Sequence, residues 1–467
     1  MSQNAPLSVT SLAMLKTETP NVSLVTMLEA TDELAVGAFV ADILRDSGWR
    51  VESLRKRSSR LSPPDGYWAM YEVSIRMEEE ERSLRLVARG AFSRQAWDEL
   101  SAKLLQHSSG PCDPIGGIGF PRLFHESQHA FWFYPFDPAM PGLPSAANPK
   151  TVTDVLLGLG DHALEDTDGY PKVEIERVRY TPEIGAILRY TLQTSVGPLI
   201  VYGKVQPGDR GLRTLRIVEG LWRASAAQPP GLLGLPRPLG WIEQYGLLLE
   251  ESIPGESVGS DRMSVEFQNT GVAAAEALAV IHESRVETDI EIWLENELDR
   301  LDRVAEQFSY VHPEGHYLLR DLASHLRNRA RIAMDEEWLP THGDLKYDQF
   351  VYHDGTFTLL DFDYFAVAET SYDLGKYCAY LVPSAPASWE DTLAVEKIRT
   401  RFLGRYLELR PDATIQRFPI YEALTLGLRA MTFMWAQRSG WQRVAETFLV
   451  MAHERLYSRI PETISRV

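Results

Sequence analysis

The stretch Thr341–Phe365, THGDLKYDQFVYHDGTFTLLDFDYF, constrains the chain more than any other. Two short apolar runs flank Asp354-Gly355, a dipeptide that suits the left-handed backbone of a two-residue hairpin turn. The reading is a tight β-hairpin whose ends come together. It folds Gln349, at the start of the first strand, toward Asp361, at the end of the second. Asp344 lies on the loop just before. An amide oxygen and two or three carboxylates therefore converge on one small volume, where like charges repel unless something positive sits among them. A hard cation with oxygen ligands, most simply Mg²⁺, would relieve that repulsion, and its remaining ligands would be water and phosphate. The pattern points to nucleotide phosphates.

The rest of the chain supplies two kinds of surroundings. Its 467 residues imply two or three domains. Helical spacing in ELAVGAFVADILRDSG, with Gly48 as its stop, precedes two strands, GYWAMYEVSIRM and RSLRLVARGAF, around the charged turn EEEER. A helix follows at RQAWDELSAKLLQHS, then a strand at ESQHAFWFYPF and a Pro-rich connector ending near 150. A second cycle begins with a hairpin, EIGAILRYTLQTS and GPLIVYGKVQ, around Val196-Gly197. It continues with the helix LRTLRIVEGLWRASA and the strands around PRPLGWIEQ and YGLLLEES. From about residue 260 the pattern turns helical, interrupted by the opening stretch.

The two cycles look related. PRLFHESQHAFWFYPF and PRPLGWIEQYGLLLEE both begin Pro-Arg, at 121 and 236, and at that same offset Arg89 falls opposite Lys204. The expected division is a tail at 1–25, an accessory N-lobe-like domain at 26–150, a second sheet lobe at 151–255 and a helical lobe at 256–467.

Composition excludes several classes. The apolar fraction is 44% and the charged fraction 24%, which is ordinary for a globular chain. Two cysteines, Cys112 and Cys378, are too few for a disulfide framework or a cysteine zinc site and fit a reducing cytoplasm. A net charge of −18 disfavours nucleic acid as a partner. No apolar run approaches the roughly 18 residues of a membrane span. MSQNAPLSVTSLAML lacks the basic and apolar regions of a signal peptide. Oligomeric state has no signature.

HGDLKYDQF followed by LLDFD resembles the signature of the aminoglycoside phosphotransferase and choline kinase group, which has a protein-kinase-like fold. VYGKV is similar to its β-strand lysine motif and LLLEESIPGE to its hinge. EALAVIHES is similar to its Leu-Ala-x-Leu-His helix, and SYDLGKYCAYL to the helix after its metal aspartate. The resemblance spans roughly 155–440. It implies an α+β bilobal fold, a sheet lobe and a helical lobe, and transfer of a phosphoryl group from ATP, with Mg²⁺, to a hydroxyl of a sugar, aminoglycoside or amino alcohol. It implies Asp344 as catalytic base, Asp361 as the metal aspartate, His342 as a buttress of the catalytic loop and Asp373 as its anchor. Asp363 either assists the metal or caps the turn. Lys204 would meet the α/β-phosphates and a helix glutamate, for which Glu219 is the candidate. The hinge residues Glu250 to Ile253, with Glu251 and Ile253 foremost, would offer backbone groups to adenine.

Two features depart from the family pattern. Gln349 stands where asparagine is commonest; it keeps the amide oxygen but moves it about 1.5 Å, one carbon–carbon bond. Glutamine here resembles maltokinase-like relatives. No GxGxxG precedes the lysine strand; YTPEIGAILRY, with Gly185 alone, takes its place. These departures keep a second reading in view, a catalytically silent kinase-like protein that binds nucleotide or a partner. A protein kinase is disfavoured, because His-Gly-Asp replaces His-Arg-Asp and no Asp-Phe-Gly follows.

In the first cycle Arg89 stands where the lysine would be, and only Glu99 parallels Glu219. Residues 26–150 are therefore expected to be a cap or packed lobe, with FWFYPF as core or interface. Glu390 and Asp391 beside Trp389 suit an amine or polyol acceptor, and equally a helix start capped by Ser388.

Overall fold

The computed structural model describes residues 31–106, 120–158, 173–194, 197–229, 231–383 and 389–458. The tail 1–25, Cys112, Val196 and Ser388 lie outside them, as do the side chains of Trp389, Glu390 and Asp391.

The first lobe opens with helix α1 (Glu33–Leu44), whose first turn is capped by the Asp32 carboxylate accepting from Leu34 N–H. Its apolar stripe, including Val36, Phe39, Val40 and Leu44, is buried. Three long strands follow: β1 (Arg50–Ser62), β2 (Gly66–Met77) and β3 (Glu80–Ala91). Helix α2 (Arg94–Leu105) then crosses to the short strands β4 (Arg122–Phe124) and β5 (His129–Phe133). The antiparallel sheet runs β1-β2-β3-β5-β4. Strand β1 has no counterpart in the sequence reading. RVESLRKRSSRLS is mostly polar because β1 is an edge strand with one face in water, where charged residues also guard against unwanted pairing. FWFYPF behaves as expected, with Phe131, Trp132 and Phe133 fully buried.

Helices α3 (Leu143–Ala146) and α4 (Pro149–Gly158) lead to the second lobe. It holds β6 (Val173–Thr181), β7 (Gly185–Thr194), β8 (Gly197–Val205), helix α5 (Arg210–Ser225), β9 (Pro238–Ile242) and β10 (Leu247–Glu251). The sheet order is β6-β7-β8-β10-β9. Strand for strand this is the order of the first lobe, with the helix again after the third strand, as the shared Pro-Arg offset predicts. The equivalence reaches single residues. Arg89 pairs with Ala130, the second residue of β5; Lys204 pairs with Leu248, the second residue of β10.

The helical lobe contains α6 (Val265–Glu283), α7 (Leu294–Val311), α8 (Pro313–Ala330), α9 (Ser371–Leu381), α10 (Trp389–Leu409), α11 (Phe418–Ala436) and α12 (Trp441–Tyr457). The expected hairpin is β14 (Phe350–His353) and β15 (Thr356–Leu359). Its turn has positive φ at both Asp354 (46°) and Gly355 (85°), the geometry that Asp-Gly favours. Strand β11 (Glu256–Ser257), shortly after β10, pairs with β14 and ties the end of β10 to the hairpin. A small sheet of β12 (Glu291–Ile292), β16 (Ala366–Glu369) and β13 (Trp338–Thr341) leads directly into the loop of His342 to Asp344. The first lobe also reaches the helical lobe, with the Arg60 guanidinium 3.4 Å above the Trp435 ring.

Candidate active site

Strand β8 and the end of the hairpin meet across the two lobes. Lys204 Nζ donates to Asp361 Oδ1 at 2.9 Å and lies 2.5 Å from Asp363 Oδ2. Burial alone would lower the lysine's pKa; the charges of Asp363, Asp361 and Glu250 overcome it and raise it. Burial pushes Asp361 up, but the Lys204 ammonium outweighs it and holds that carboxyl below the usual range. Burial raises Asp363 and Lys204 opposes it; with the neighbouring Asp361 charge added, the net shift is upward. One ammonium between two carboxylates leaves this cluster net negative.

The two aspartates differ in what holds them. Asp363 is the more enclosed and also accepts from Gln206 Nε2 (2.7 Å) and Thr214 Oγ1 (3.1 Å), so it ties β8 and α5 to the helical lobe. Asp361 keeps about a third of its side chain exposed (33%) and so is the one open to a ligand. Its φ is +72°, a left-handed conformation uncommon for a residue with a side chain and frequent at functional sites.

The catalytic-type loop is held from below. Asp373 accepts from both His342 N–H (2.6 Å) and Gly343 N–H (3.0 Å), which makes it the anchor expected of it. His342 is fully buried, and burial lowers its pKa to about 4, so the ring is neutral. Nε2–H donates to Leu360 C=O (3.1 Å) while Nδ1 accepts from Asp344 N–H (3.4 Å). The ring is a spacer between loop and hairpin. Gly343 has φ +80°, and a Cβ there would lie 1.8 Å from Tyr364 O, so only glycine fits.

Asp344 sits between two lysines, Lys346 Nζ at 2.5 Å and Lys376 Nζ at 3.1 Å. Burial works to raise its pKa; Lys376 and Lys346 more than offset it, and the carboxylate stays ionised below the ordinary range. Lys376 also donates to Gly343 C=O (2.7 Å) and Tyr372 OH (3.2 Å), while Lys346 lies 4.9 Å from the Tyr380 ring centre.

One expectation needs correction. Glu219 is exposed on α5 and does not meet Lys204. The buried face of that helix carries Thr214, Ile217, Val218 and Leu221, and Glu219 falls outside that stripe. The lysine's partners come from the helical lobe instead. Gln349 is buried, but its Oε1 accepts from Lys346 N–H (2.8 Å), capping the short turn Tyr347–Gln349. The amide thereby helps to shape the loop.

Glu251 is the last residue of β10, and Ile253 lies two residues past it. Both Glu251 and Ile253 are half-buried, and Glu251 Oε1 accepts from Arg237 N–H (2.8 Å).

Four residues here escaped the sequence reading: Gln206, Thr214, Lys346 and Lys376. Gln206 alternates with Lys204 along the chain and so faces the same way, a signal the period of a strand carries. Lys346 lies two residues from Asp344 in the same loop, whereas Thr214 and Lys376 become visible only when their elements pack.

Whether the site suits a hard cation is tested by its own atoms. Asp361 and Asp363 supply two carboxylates, and the buried Gln206 Oε1 has no hydrogen-bond partner. All are hard oxygen donors, the class that Mg²⁺ takes together with phosphate oxygens. No cluster of three or more His, Cys, Asp or Glu suited to a metal occurs among the described residues.

Residues 213–407 match the model of the phosphotransferase enzyme family, which bears out the resemblance read from the motifs over the segment holding the hinge, the catalytic loop and the aspartate strand. No curated protein matches the chain. Solved structures that resemble it include a choline/ethanolamine kinase family protein from Mesorhizobium loti, 14% identical, covering 68% of this chain and 97% of its own, with a TM-score of 0.45. A choline kinase from Cryptosporidium parvum is 12% identical, covers 67% and 97%, and has a TM-score of 0.47. An aminoglycoside-3'-phosphotransferase of type VIII is 22% identical over 55% and 93%, with a TM-score of 0.39. No helix among the described residues is long and apolar enough to cross a membrane.

Proposed function

We propose that the chain transfers a phosphoryl group from ATP to a hydroxyl of a small molecule, with sugars, aminoglycosides and amino alcohols as the acceptor classes. The observation that carries this reading is Lys204, reaching from one lobe to bracket Asp361 and Asp363 of the other. Phosphoryl transfer needs mainly positioning and charge stabilisation, and this cluster provides a cation and an acidic pair side by side. Mg²⁺, held by Asp361 with Asp363, would neutralise charge between the phosphates.

Lys204 would turn its ammonium to the α/β-phosphates once the carboxylates have a second cation to face. Asp344, kept ionised by its two lysines, would hold the acceptor hydroxyl by a charge-assisted hydrogen bond. A carboxylate so depressed is a weak base. It would take the proton late, as the new bond forms and the hydroxyl becomes acidic. Lys346 and Lys376 put positive charge beside that hydroxyl and favour an uncharged polyol over an amine-rich acceptor. Glu251 and Ile253 remain the hinge residues proposed to meet adenine.

The experiment is ADP release by the purified protein with ATP and Mg²⁺, screened over hydroxylated metabolites. Acceptor-dependent ADP that Asp344→Asn abolishes is the expected result. If no acceptor raises turnover above a trace, and Asp344→Ala leaves the trace unchanged, the enzyme reading is lost. A silent nucleotide-binding role then gains. It has one observation in its favour: the Gln349 oxygen is already committed to Lys346 N–H.

A further inference from the structure

The turn between β6 and β7 occupies the place where a glycine-rich loop would cover phosphates. It is short, with Ile184 N–H donating to Thr181 C=O (3.1 Å) and Glu183 at φ +61°. Past the turn, Ala186 pairs with Val205 and Ile187 with Lys204, so the turn opens beside the lysine of the candidate site. A Cβ on Gly185 would touch Val205 O and Gln206 Cγ at 3.5 and 3.7 Å. A carboxylate at such a tip would repel phosphates.

That carboxylate is claimed by the first lobe. Glu183 Oε2 lies 2.8 Å from Arg89 Nε, and its Oε1 lies 3.8 Å from Lys103 Nζ. The Glu183 side chain is only 12% exposed. Its backbone N–H donates to Asp137 Oδ2 (3.0 Å), which also accepts from Tyr180 OH (2.7 Å). Asp137 is itself buried, with Oδ1 accepting from Ala139 N–H (2.9 Å). Trp132 Nε1 donates to the same Tyr180 hydroxyl (3.3 Å). Two cations and one buried acid of the first lobe thus hold both the side chain and the backbone of one residue at the tip.

We propose that the N-terminal lobe is a clamp on the phosphate-covering hairpin. Arg89 and Lys103 neutralise Glu183 and draw it away from the phosphates, and Asp137 fixes the turn backbone. The lobe thereby sets the affinity for the nucleotide's phosphate chain. This inference rests on the phosphotransferase reading. Arg89, Lys103, Asp137 and Glu183 are positioning residues within it.

The test uses the full chain, a non-hydrolysable ATP analogue and adenosine in titration calorimetry, with backbone hydrogen exchange over residues 181–187. In Arg89→Met, Glu183 keeps its charge but loses its main partner. The analogue should then bind about five- to tenfold more weakly, the range of a modest coupling between sites. Adenosine affinity should hold, and exchange in the hairpin should quicken. Arg89→Lys, which keeps the charge, should retain most of the affinity. Lys103→Met, at an exposed position that tolerates change, should weaken the analogue by a smaller factor and serves if Arg89→Met does not fold. Equal weakening of analogue and adenosine overturns the proposal, as do unchanged affinity and exchange. A wild-type protein that binds no nucleotide overturns the phosphotransferase reading instead, before any variant is compared.

Discussion

The two sheet lobes share a strand order, a helix after the third strand and a cation facing the second residue of the next strand. In the second lobe that cation, Lys204, meets two aspartates from the helical lobe. In the first it is Arg89, and the acid it meets is Glu183, from the hairpin tip of the lobe that follows. Each lobe therefore offers its cation to whatever comes next in the chain. The second lobe's neighbour is a helical lobe that presents Asp361 and Asp363, and a net negative cluster results. The first lobe's neighbour is another sheet, and a closed ion pair results. The architecture is the same; the partner decides whether the cation becomes part of a site or part of a joint.

The sharpest way to break this comparison is to remove each cation. Lys204→Met leaves two partly buried carboxylates without their cation, which costs about 3–5 kcal/mol where one partner of a buried pair is lost. It should also lower kcat/KM by about 10²–10³, the scale for losing one preorganised charge at a transition state. Arg89→Met should leave kcat intact. Steady-state kinetics on both variants decides the matter, and equal losses would mean that the lobes are not functionally distinct.

The second prediction concerns pH. Asp344 has its pKa depressed by lysines that outweigh burial. Its charge, and the stability that charge contributes, is present above the ordinary carboxylate pKa and lost only as pH falls through the depressed value. Activity should therefore persist on the acid side until below the ordinary range. Lys376→Met removes one of the two lysines and should move the acid limb of the pH–rate profile upward. A limb that stays put would remove Asp344 from the role of base.

A third contrast is steric. Gly90 and Gly203 flank the two cations, and each faces a buried tyrosine on the neighbouring strand. A Cβ at Gly90 would lie 2.2 Å from the Tyr67 ring, and one at Gly203 would lie 2.4 Å from that of Tyr190. Alanine at either position should destabilise by about 1–3 kcal/mol, the usual cost of overpacking. Chemical denaturation measures this. Only Gly203→Ala should disturb activity as well.

The smallest expected effect sharpens the correction. Glu99 shares a hydrogen bond with Gln95 on an exposed helix face, and Glu219 is exposed on α5. Glu99→Gln and Glu219→Gln should each change stability by less than about 0.5 kcal/mol, as surface changes do. A large loss of activity in Glu219→Gln would restore it as the partner of Lys204.

Much of this is legible in the sequence. The Asp-Gly turn, the aspartates around it and the lysine strand are local patterns whose spacing translates directly into a hairpin and a strand. The tandem lobes were readable from a shared Pro-Arg offset. Strand β1 was not, because an edge strand with one wet face carries little apolar alternation. The partner of Lys204 was not either: a glutamate at helical distance is indistinguishable in sequence from one that faces solvent. Lys376 and Thr214 gave no signal, since nothing in SYDLGKYCAYL or LRTLRIVEG says which residue turns toward the site.

The sequence by itself determined the elements, their order and the chemistry available to them, because hydrogen-bonded turns and alternating strands are decided within a few residues. Which acid faces which cation was left to the tertiary structure. Lys204 and Asp361 are far apart in the chain, as are Arg89 and Glu183. Such pairings depend on how the lobes dock, and burial then converts that docking into ion pairs and shifted proton affinities.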